Sequence, residues 1–330
     1  MVFPFNLYLS ALGAAALTTL CCTPLWRAWA RRSGLVDDPG HRKIHHRPVP
    51  LAGGLAVFTG MMIPVLAGIL LLHGQLAPGT ESGLLRYGLS RRGIQVLALL
   101  AAALGMVVLG WLDDRYELRP RIKFAGQLLL ASLVACSGIR ITLFVPSEIF
   151  SFAVTVLWIV TVTNAFNFMD NMNGLCAGLG AIAGFFFAVS GAIQGQYLVA
   201  TMALLTTGAL LGFLPFNYPR ASVFLGDAGS HLVGFLAAVM AVLPHFHNLQ
   251  NPNRWAVLSP LLILAVPLAD LVWVVILRWR LGQPFYVGDN NHWSHRLVRR
   301  GWSRAGAVLI IWLAAVLSGC LALALQGIGF

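Results

Sequence analysis

The stretch Val96–Asp114 reads Val-Leu-Ala-Leu-Leu-Ala-Ala-Ala-Leu-Gly-Met-Val-Val-Leu-Gly-Trp-Leu-Asp-Asp, and it decides the class of the fold. A run this long and apolar fits a helix crossing a bilayer, where the backbone must satisfy its own hydrogen bonds. It ends abruptly on two adjacent carboxylates. Apolar run followed by a compact polar cluster is the pattern that organises the rest of the chain.

Outward from this stretch, windows of ~20 apolar residues give about ten spans. Their centres lie near Ala16, Met61, Ala102, Leu130, Leu157, Phe185, Leu205, Ala237, Ala265 and Ala315. Composition agrees: 58% of the 330 residues are hydrophobic and only 10% are charged, against roughly 25% charged in a soluble domain. The expectation is an all-α polytopic membrane helix bundle with about ten transmembrane helices. No linker breaks the alternation, so residues 1–330 are expected to form a single integral membrane domain. The first run, Asn6 to Trp26, has no preceding Lys or Arg and exceeds a signal-peptide core, so it is expected to stay as a span. Cys21, Cys22, Cys136, Cys176 and Cys320 lie in or beside apolar runs, with no Cys-x-x-Cys pair. They read as small apolar residues, not as disulfides or a zinc site.

The net charge is +11. In a soluble protein this would suggest nucleic acid; here 17 of the 22 Lys and Arg residues fall in alternate loops on one side. That is the positive-inside bias, so no nucleic-acid partner is expected. The basic side is expected to face the cytoplasm and both termini to face out. Eight of the 11 acids share the basic side. The bias does not require them there, so they need another cause.

Five clusters hold most of this polar material: Asp38–Lys43, Asp113–Arg115, Asn164–Asn171, Phe224–Ser230 and His292–Arg296. Adjacent carboxylates such as Asp113 and Asp114 can hold Mg²⁺, which takes oxygen ligands and keeps several waters, or one can act as a base. The same pair also fits an ordinary solvated loop. The amides of Asn164, Asn167 and Asn171, beside Phe166 and Phe168, suit a nucleobase and ribose; a capped helix turn is the plain counterpart. Asp227 sits in the turn Phe-Leu-Gly-Asp-Ala-Gly-Ser, where glycine permits close approach and a helix N-terminus attracts phosphate. It also fits a simple N-cap. His292, His295 and Arg296 suit phosphate contact, or an interfacial loop without a role. Arg299, Arg300 and Arg304 read as topology and headgroup anchors. A zinc site at His41, His45 and His46 is disfavoured by irregular spacing and lack of cysteine. Asp270, an ionisable residue inside a span, is a functional candidate or a partner for Arg278.

Taken in order, these segments resemble the polyprenyl-phosphate N-acetylhexosamine-1-phosphate transferase family over about Asp37 to Trp302. The resemblance implies transfer of a sugar 1-phosphate from a UDP-sugar to undecaprenyl phosphate, with Mg²⁺ or Mn²⁺ and release of UMP. It implies an enzyme of the bacterial inner membrane with its site on the cytoplasmic face, acting in cell-envelope polysaccharide synthesis. It maps Asp113 and Asp114 to the family's acidic pair, with Glu117 as a further acid. Asp170 maps to the acid of the Asn-rich motif, Asp227 to that of the Phe-Leu-Gly-Asp turn, and His292 and His295 to the histidine loop. Arg47 and the following Pro-Gly-Gly segment map near the nucleotide. On this mapping Asp227 and Asp113 are the expected metal ligands. Asp114 is expected to deprotonate or orient the lipid phosphate, and a covalent phospho-aspartate route stays open. His292, His295 and Arg296 are expected to hold phosphate oxygens.

Two positions depart from the family pattern. Asn173 stands where a second acid is usual, so it is expected to recognise the nucleotide by hydrogen bonding, without charge. The loop reads His292-Trp-Ser-His-Arg, not the His-His-His of the phospho-MurNAc-pentapeptide translocase. This favours the GlcNAc-1-phosphate branch, with the translocase as the alternative. A transporter of an anionic metabolite is the reading from another class, and midplane acids would favour it. The expected partners are a UDP-sugar, the polyprenyl phosphate and the bilayer; a homodimer is left open.

Overall fold

The computed structural model describes residues 5–38, 47–74, 80–143, 145–244, 246, 253–284 and 290–327. Within them run α1 (Phe5–Ser33), α2 (Gly53–His73), α3 (Thr80–Tyr116), α4 (Pro120–Cys136), α5 (Glu148–Met169) and α6 (Leu175–Ile193). They are followed by α7 (Tyr197–Asn217), α8 (Gly226–Met240), a 3₁₀ turn (Arg254–Leu258), α9 (Ser259–Ile263), α10 (Ala265–Arg280), α11 (Trp293–Arg299) and α12 (Arg304–Leu325). Each of the expected span centres falls inside one of these helices. The His41, His45, His46 cluster, residues 39–43 of the first polar cluster and Asp289 lie outside the described residues.

Among the described residues, seven helices are long and apolar enough to cross a membrane: α1, α2, α3, α5, α6, α7 and α12. The segment Arg254–Ile263 and α10, bent by 69° at Leu264, form an eighth if counted as one broken span. The expected spans at α4 and α8 fall short of that length. At 1.5 Å per residue α8 is only about 22 Å long. The reason is that its first turn carries the Asp227 cluster, which belongs in a polar cavity and not in lipid. Large apolar side chains cover the outside, among them Leu25 (71% exposed), Ile94 (79%) and Leu129 (71%). In water this would be an untenable surface; facing acyl chains, it makes the chain a multi-pass membrane protein. Cys21 and Cys136 are free and lie on that outer surface, while Cys176 is buried.

Close packing comes from small residues. A Cβ added at Gly208 of α7 would lie 2.2 Å from the Leu12 carbonyl oxygen, and one at Gly212 would lie 2.2 Å from that of Ala16. The pair, one turn apart, lets α7 lie directly on α1, as small-xxx-small stripes do in lipid. The same device seats α8, whose residues Ala228–Met240 are all buried. A Cβ at Gly54 of α2 would meet the Gly229 nitrogen at 2.2 Å, and one at Gly110 of α3 the Asp227 carbonyl oxygen at 2.3 Å.

One feature departs from a purely helical reading. β1 (Val36–Asp37) pairs antiparallel with β2 (Val49–Pro50), and Leu51 bridges to Phe224. Two-residue strands are too short to leave a periodicity in the sequence. The ribbon fastens the start of α2 to the turn before α8.

Candidate active site

The site forms where the ends of α3, α5 and α7 meet the starts of α8 and α12. Its centre is the first turn of α8. The first amides of any helix have no partner within it; here α3 supplies one. Asp114 accepts from the Asp227 N–H at 2.8 Å through Oδ1 and from the Ala228 N–H at 3.1 Å through Oδ2. Gly226 makes this possible: it has φ +73, and a Cβ there would lie 2.7 Å from Asp114 Oδ2. So Asp114 caps α8, with both oxygens engaged by backbone.

Its neighbour Asp113 faces differently. Asp113 Oδ1 accepts from the Leu118 N–H at 2.9 Å, and Oδ2 lies 2.6 Å from Lys123 Nζ. Lys123, in the first turn of α4, also reaches Asp227 Oδ2 at 2.9 Å. From α5, Asn167 Nδ2 donates to Asp227 Oδ1 at 2.6 Å and to Ser230 Oγ at 2.9 Å. Asp227 is therefore held on one oxygen by a cation and on the other by an amide.

These groups border a cavity of about 870 Å³, lined by Asp113, Asp114, Asp170, Asp227, Glu117 and Asp37. Amides of Asn167, Asn171, Asn173 and Asn217 also line it, as do Tyr218, Pro219, Arg220 and Arg304. Its volume is at the upper end of the range for small-molecule sites. Asp170 ends α5 at the cavity wall. Burial raises its carboxyl to about 7, the nearby Asp227 charge adds to this, and the Gly226 N–H opposes it. Asn173 donates to the Pro219 carbonyl at 3.3 Å. Gly174, at φ +79, donates its N–H to Asn217 Oδ1 at 2.6 Å, and Asn217 in turn donates to the Val223 carbonyl at 2.9 Å. Asn217 thereby joins the Asn-rich turn to the turn leading into α8.

Of the residues expected from sequence, Asp113, Asp114, Asn167, Asp170, Asn173 and Asp227 come together at the cavity. Arg47 is exposed two residues before Val49, which lines it. Asn164, His292, His295 and Arg296 lie outside the cavity wall, whereas Arg304 lines it. Asn164 does not line the cavity: it donates to Gln127 Oε1 at 2.7 Å and to the Val160 carbonyl at 2.8 Å. It lies a turn deeper than Asn167, where a lone amide in an apolar bundle needs a partner and Gln127 of α4 is within reach. His292 is buried, with Nδ1 2.6 Å from Asp270 Oδ2, so Asp270, read from sequence as a functional candidate or a partner for Arg278, pairs with this histidine. The Trp293 N–H donates to Asp270 Oδ1 at 2.8 Å. His295 and Arg296 stay outside the cavity too. Burial lowers the His295 pKa, and the charges of His292, Arg299 and Arg304 lower it further. The histidine loop touches the site through Ser294, whose hydroxyl donates to Asn171 Oδ1 at 2.7 Å. Finally Arg304, expected as an anchor, lines the cavity with Arg220.

Lys123, Asn217, Arg220 and Arg304 escaped the sequence reading. For Lys123 a signal existed: the chain has 20 arginines and only two lysines. A compact ammonium where arginine is the default suggests a place with room for a point charge.

The donor chemistry suits a hydrated Mg²⁺. Asp113 and Asp227 present carboxylate oxygens that already flank one cation, the Lys123 ammonium. Among the described residues no three His, Cys, Asp or Glu side chains form an all-protein cage. Mg²⁺ does not need one, since one or two carboxylates with waters and substrate phosphates suffice.

Fold and cavity define a polytopic membrane protein whose acid-bearing polar site opens at one end of an apolar bundle. Comparison with known proteins narrows the class. The model of glycosyl transferase family 4 matches residues 96–245. The chain is 33% identical over 318 residues to the probable undecaprenyl-phosphate N-acetylglucosaminyl 1-phosphate transferase of Bacillus subtilis, covering 94% of this chain and 82% of that one. It is 34% identical over 334 residues to the decaprenyl-phosphate N-acetylglucosaminephosphotransferase of Mycobacterium tuberculosis, covering 93% and 80%. To the undecaprenyl-phosphate alpha-N-acetylglucosaminyl 1-phosphate transferase of Escherichia coli K12 it is 29% identical over 310 residues, covering 88% and 76%. The chain belongs to glycosyl transferase family 4, in the branch of the polyprenyl-phosphate N-acetylglucosaminyl 1-phosphate transferases.

Proposed function

We propose that the protein transfers N-acetylglucosamine 1-phosphate from UDP-N-acetylglucosamine to a polyprenyl phosphate, with undecaprenyl phosphate as the expected acceptor, and releases UMP. The reaction takes place at the cytoplasmic face of a bacterial inner membrane. The observation that carries this reading is the Asp113–Lys123–Asp227 chain at the wall of a cavity that also holds amides and two arginines. The names of the relatives support the sugar and the acceptor class.

In the reaction an acceptor phosphate oxygen attacks the donor β-phosphorus. A new P–O bond forms, the bond from that phosphorus to the bridging oxygen breaks, and UMP departs with the electron pair. Both reactants are anions, so charge must be neutralised first. Asp227 and Asp113 are the proposed ligands of Mg²⁺, or Mn²⁺ in its place. When bound, the metal supplies Lewis-acid neutralisation of the diphosphate. Asn167 fixes the Asp227 rotamer, and Lys123 keeps the two carboxylates from repelling one another apart. Arg220 and Arg304 offer guanidinium donors to phosphate oxygens. Asp114 is assigned to positioning in place of base catalysis, because backbone N–H groups take both its oxygens. A base is dispensable: a phosphate monoester with a second pKa of about 6 is already mostly dianionic at pH 7.

The test is UMP release by purified protein with undecaprenyl phosphate, Mg²⁺ and a panel of UDP-sugars. Turnover with UDP-N-acetylglucosamine is expected. Turnover with UDP-MurNAc-pentapeptide alone would move the protein to the translocase reaction. Uptake of an intact donor into vesicles without cleavage would make it a transporter.

A further inference from the structure

Arg296 does not line the catalytic cavity. It lines a second hollow of about 370 Å³ with Asn291, Arg299 and Arg300, and the two share no lining residue. Three guanidiniums converge there, and all keep their charge at any physiological pH. Two are already fixed. Arg296 lies over the Trp273 ring at 4.6 Å, and Arg299 Nη1 donates to the Asn290 carbonyl at 2.7 Å. Among the described residues no carboxylate forms an ion pair with any of the three. The positive-inside bias accounts for arginines in this loop, but it does not ask three of them to share one hollow. No described carboxylate supplies their counter-charge, and fixed side chains lose less freedom on binding an anion.

The surroundings identify the kind of anion. Trp279 is 78% exposed and Trp302 is 53% exposed, and they flank the hollow in sequence at the ends of α10 and α11. Exposed tryptophan beside arginine marks the headgroup level of a bilayer. We propose that Arg296, Arg299 and Arg300 form a binding site for the phosphate of an anionic lipid headgroup, separate from the catalytic cavity. Ser294 ties the same short helix to Asn171 of the cavity wall, so a lipid held here sits next to the reaction. Two lipids share this chemistry: the polyprenyl phosphate acceptor, which rests on the function proposed above, and bulk anionic phospholipid, which does not.

The unaltered protein and an Arg299→Gln/Arg300→Gln variant are compared in lipid nanodiscs. Native mass spectrometry reads retained phosphatidylglycerol against phosphatidylcholine, and then added undecaprenyl phosphate. Losing two guanidiniums at a charged surface should weaken retention by about tenfold or more. If retention of undecaprenyl phosphate falls and its KM rises at unchanged kcat, the occupant is the acceptor. If only phosphatidylglycerol is lost and the acceptor KM holds, the occupant is bulk phospholipid. Equal retention of both lipids by the two proteins overturns the site, and this readout needs no turnover. Should the Gln variant misfold, an Arg299→Lys/Arg300→Lys variant keeps the charge without the bidentate fork. Measurably weaker retention is then expected, and retention equal to that of the unaltered protein rejects the proposal.

Discussion

The first turn of α8 and the short helix α11 both gather like charges at one end of the bundle, and they treat them in opposite ways. Around α8 the acids are answered from within the chain. Asp114 takes two backbone N–H groups, Asp113 takes Lys123 and a backbone N–H, and Asp227 takes Lys123 and Asn167. Around α11 the arginines have no acid partner among the described residues; only a ring and a carbonyl steady them. A charge braced by other helices is set in place before substrate arrives, which suits electrostatic stabilisation. A charge steadied on one side only still has room for a ligand. The contrast separates a place for chemistry from a place for docking.

The contrast can be broken first at Lys123. Replacing it by Gln leaves Asp113 and Asp227 facing each other without their shared cation. A loss in kcat of about 10²-fold is expected, the low end for a positioned electrostatic group. Steady-state UMP release checks this. Lys123→Arg should fail to restore it, because a planar fork cannot replace a point charge between two carboxylates. Asp114 comes next. Asp114→Ala strips the cap from α8 and leaves two buried N–H groups unpaired, at about 1–3 kcal/mol. Thermal unfolding in detergent should show a lower Tm for Asp114→Ala than for Asp114→Asn, which keeps one acceptor. Equal Tm values would return Asp114 to the role of base.

A smaller effect is expected for the amide pair beneath the site. Asn164→Leu should cost about 1–2 kcal/mol, the worth of an interhelical hydrogen bond in a membrane bundle. Gln127→Leu should cost the same, and the double variant should cost less than the sum. Donor KM should stay unchanged. A raised donor KM with unaltered Tm would make Asn164 a ligand of the nucleotide, as the sequence first suggested. The smallest effect belongs to Asn173. Its 3.3 Å hydrogen bond to Pro219 is long, and Asn173→Ala should raise donor KM by about 1 kcal/mol equivalent. The Mg²⁺ dependence should stay where it was, and a shifted optimum would put Asn173 in the metal shell.

The runs and turns of this site were legible in sequence; its braces were not. Val96–Asp114 announces both a span and an acid pair, because lipid demands apolar length and leaves polar residues only at the ends. Asp227 is equally visible as a candidate, since Gly226 and Gly229 frame an acid at a helix start, a pattern it shares with a simple N-cap. Lys123 lies 104 residues from Asp227, Gln127 lies 37 from Asn164, and Asp270 lies 22 from His292. Such pairings depend on which helices end up adjacent, and no local pattern records that. Arg220 and Arg304 were hidden by a sound general rule: positive-inside bias explains any basic residue in these loops, so it singles out none. In the histidine loop the residue types suit phosphate, but the pairing of His292 with Asp270 leaves no local trace.

Asp227 is the residue on which the proposed chemistry turns. UMP release from UDP-N-acetylglucosamine should be measured with saturating undecaprenyl phosphate and Mg²⁺, for the unaltered protein and for Asp227→Asn in the same preparation. The Asn side chain keeps one acceptor for Asn167 but loses the charge that Lys123 and the metal require. The predicted result is a fall of at least about 10²-fold in turnover, with lipid retention at the α11 arginines unchanged. Near-unaltered turnover by Asp227→Asn would contradict the account and move the chemistry away from the first turn of α8.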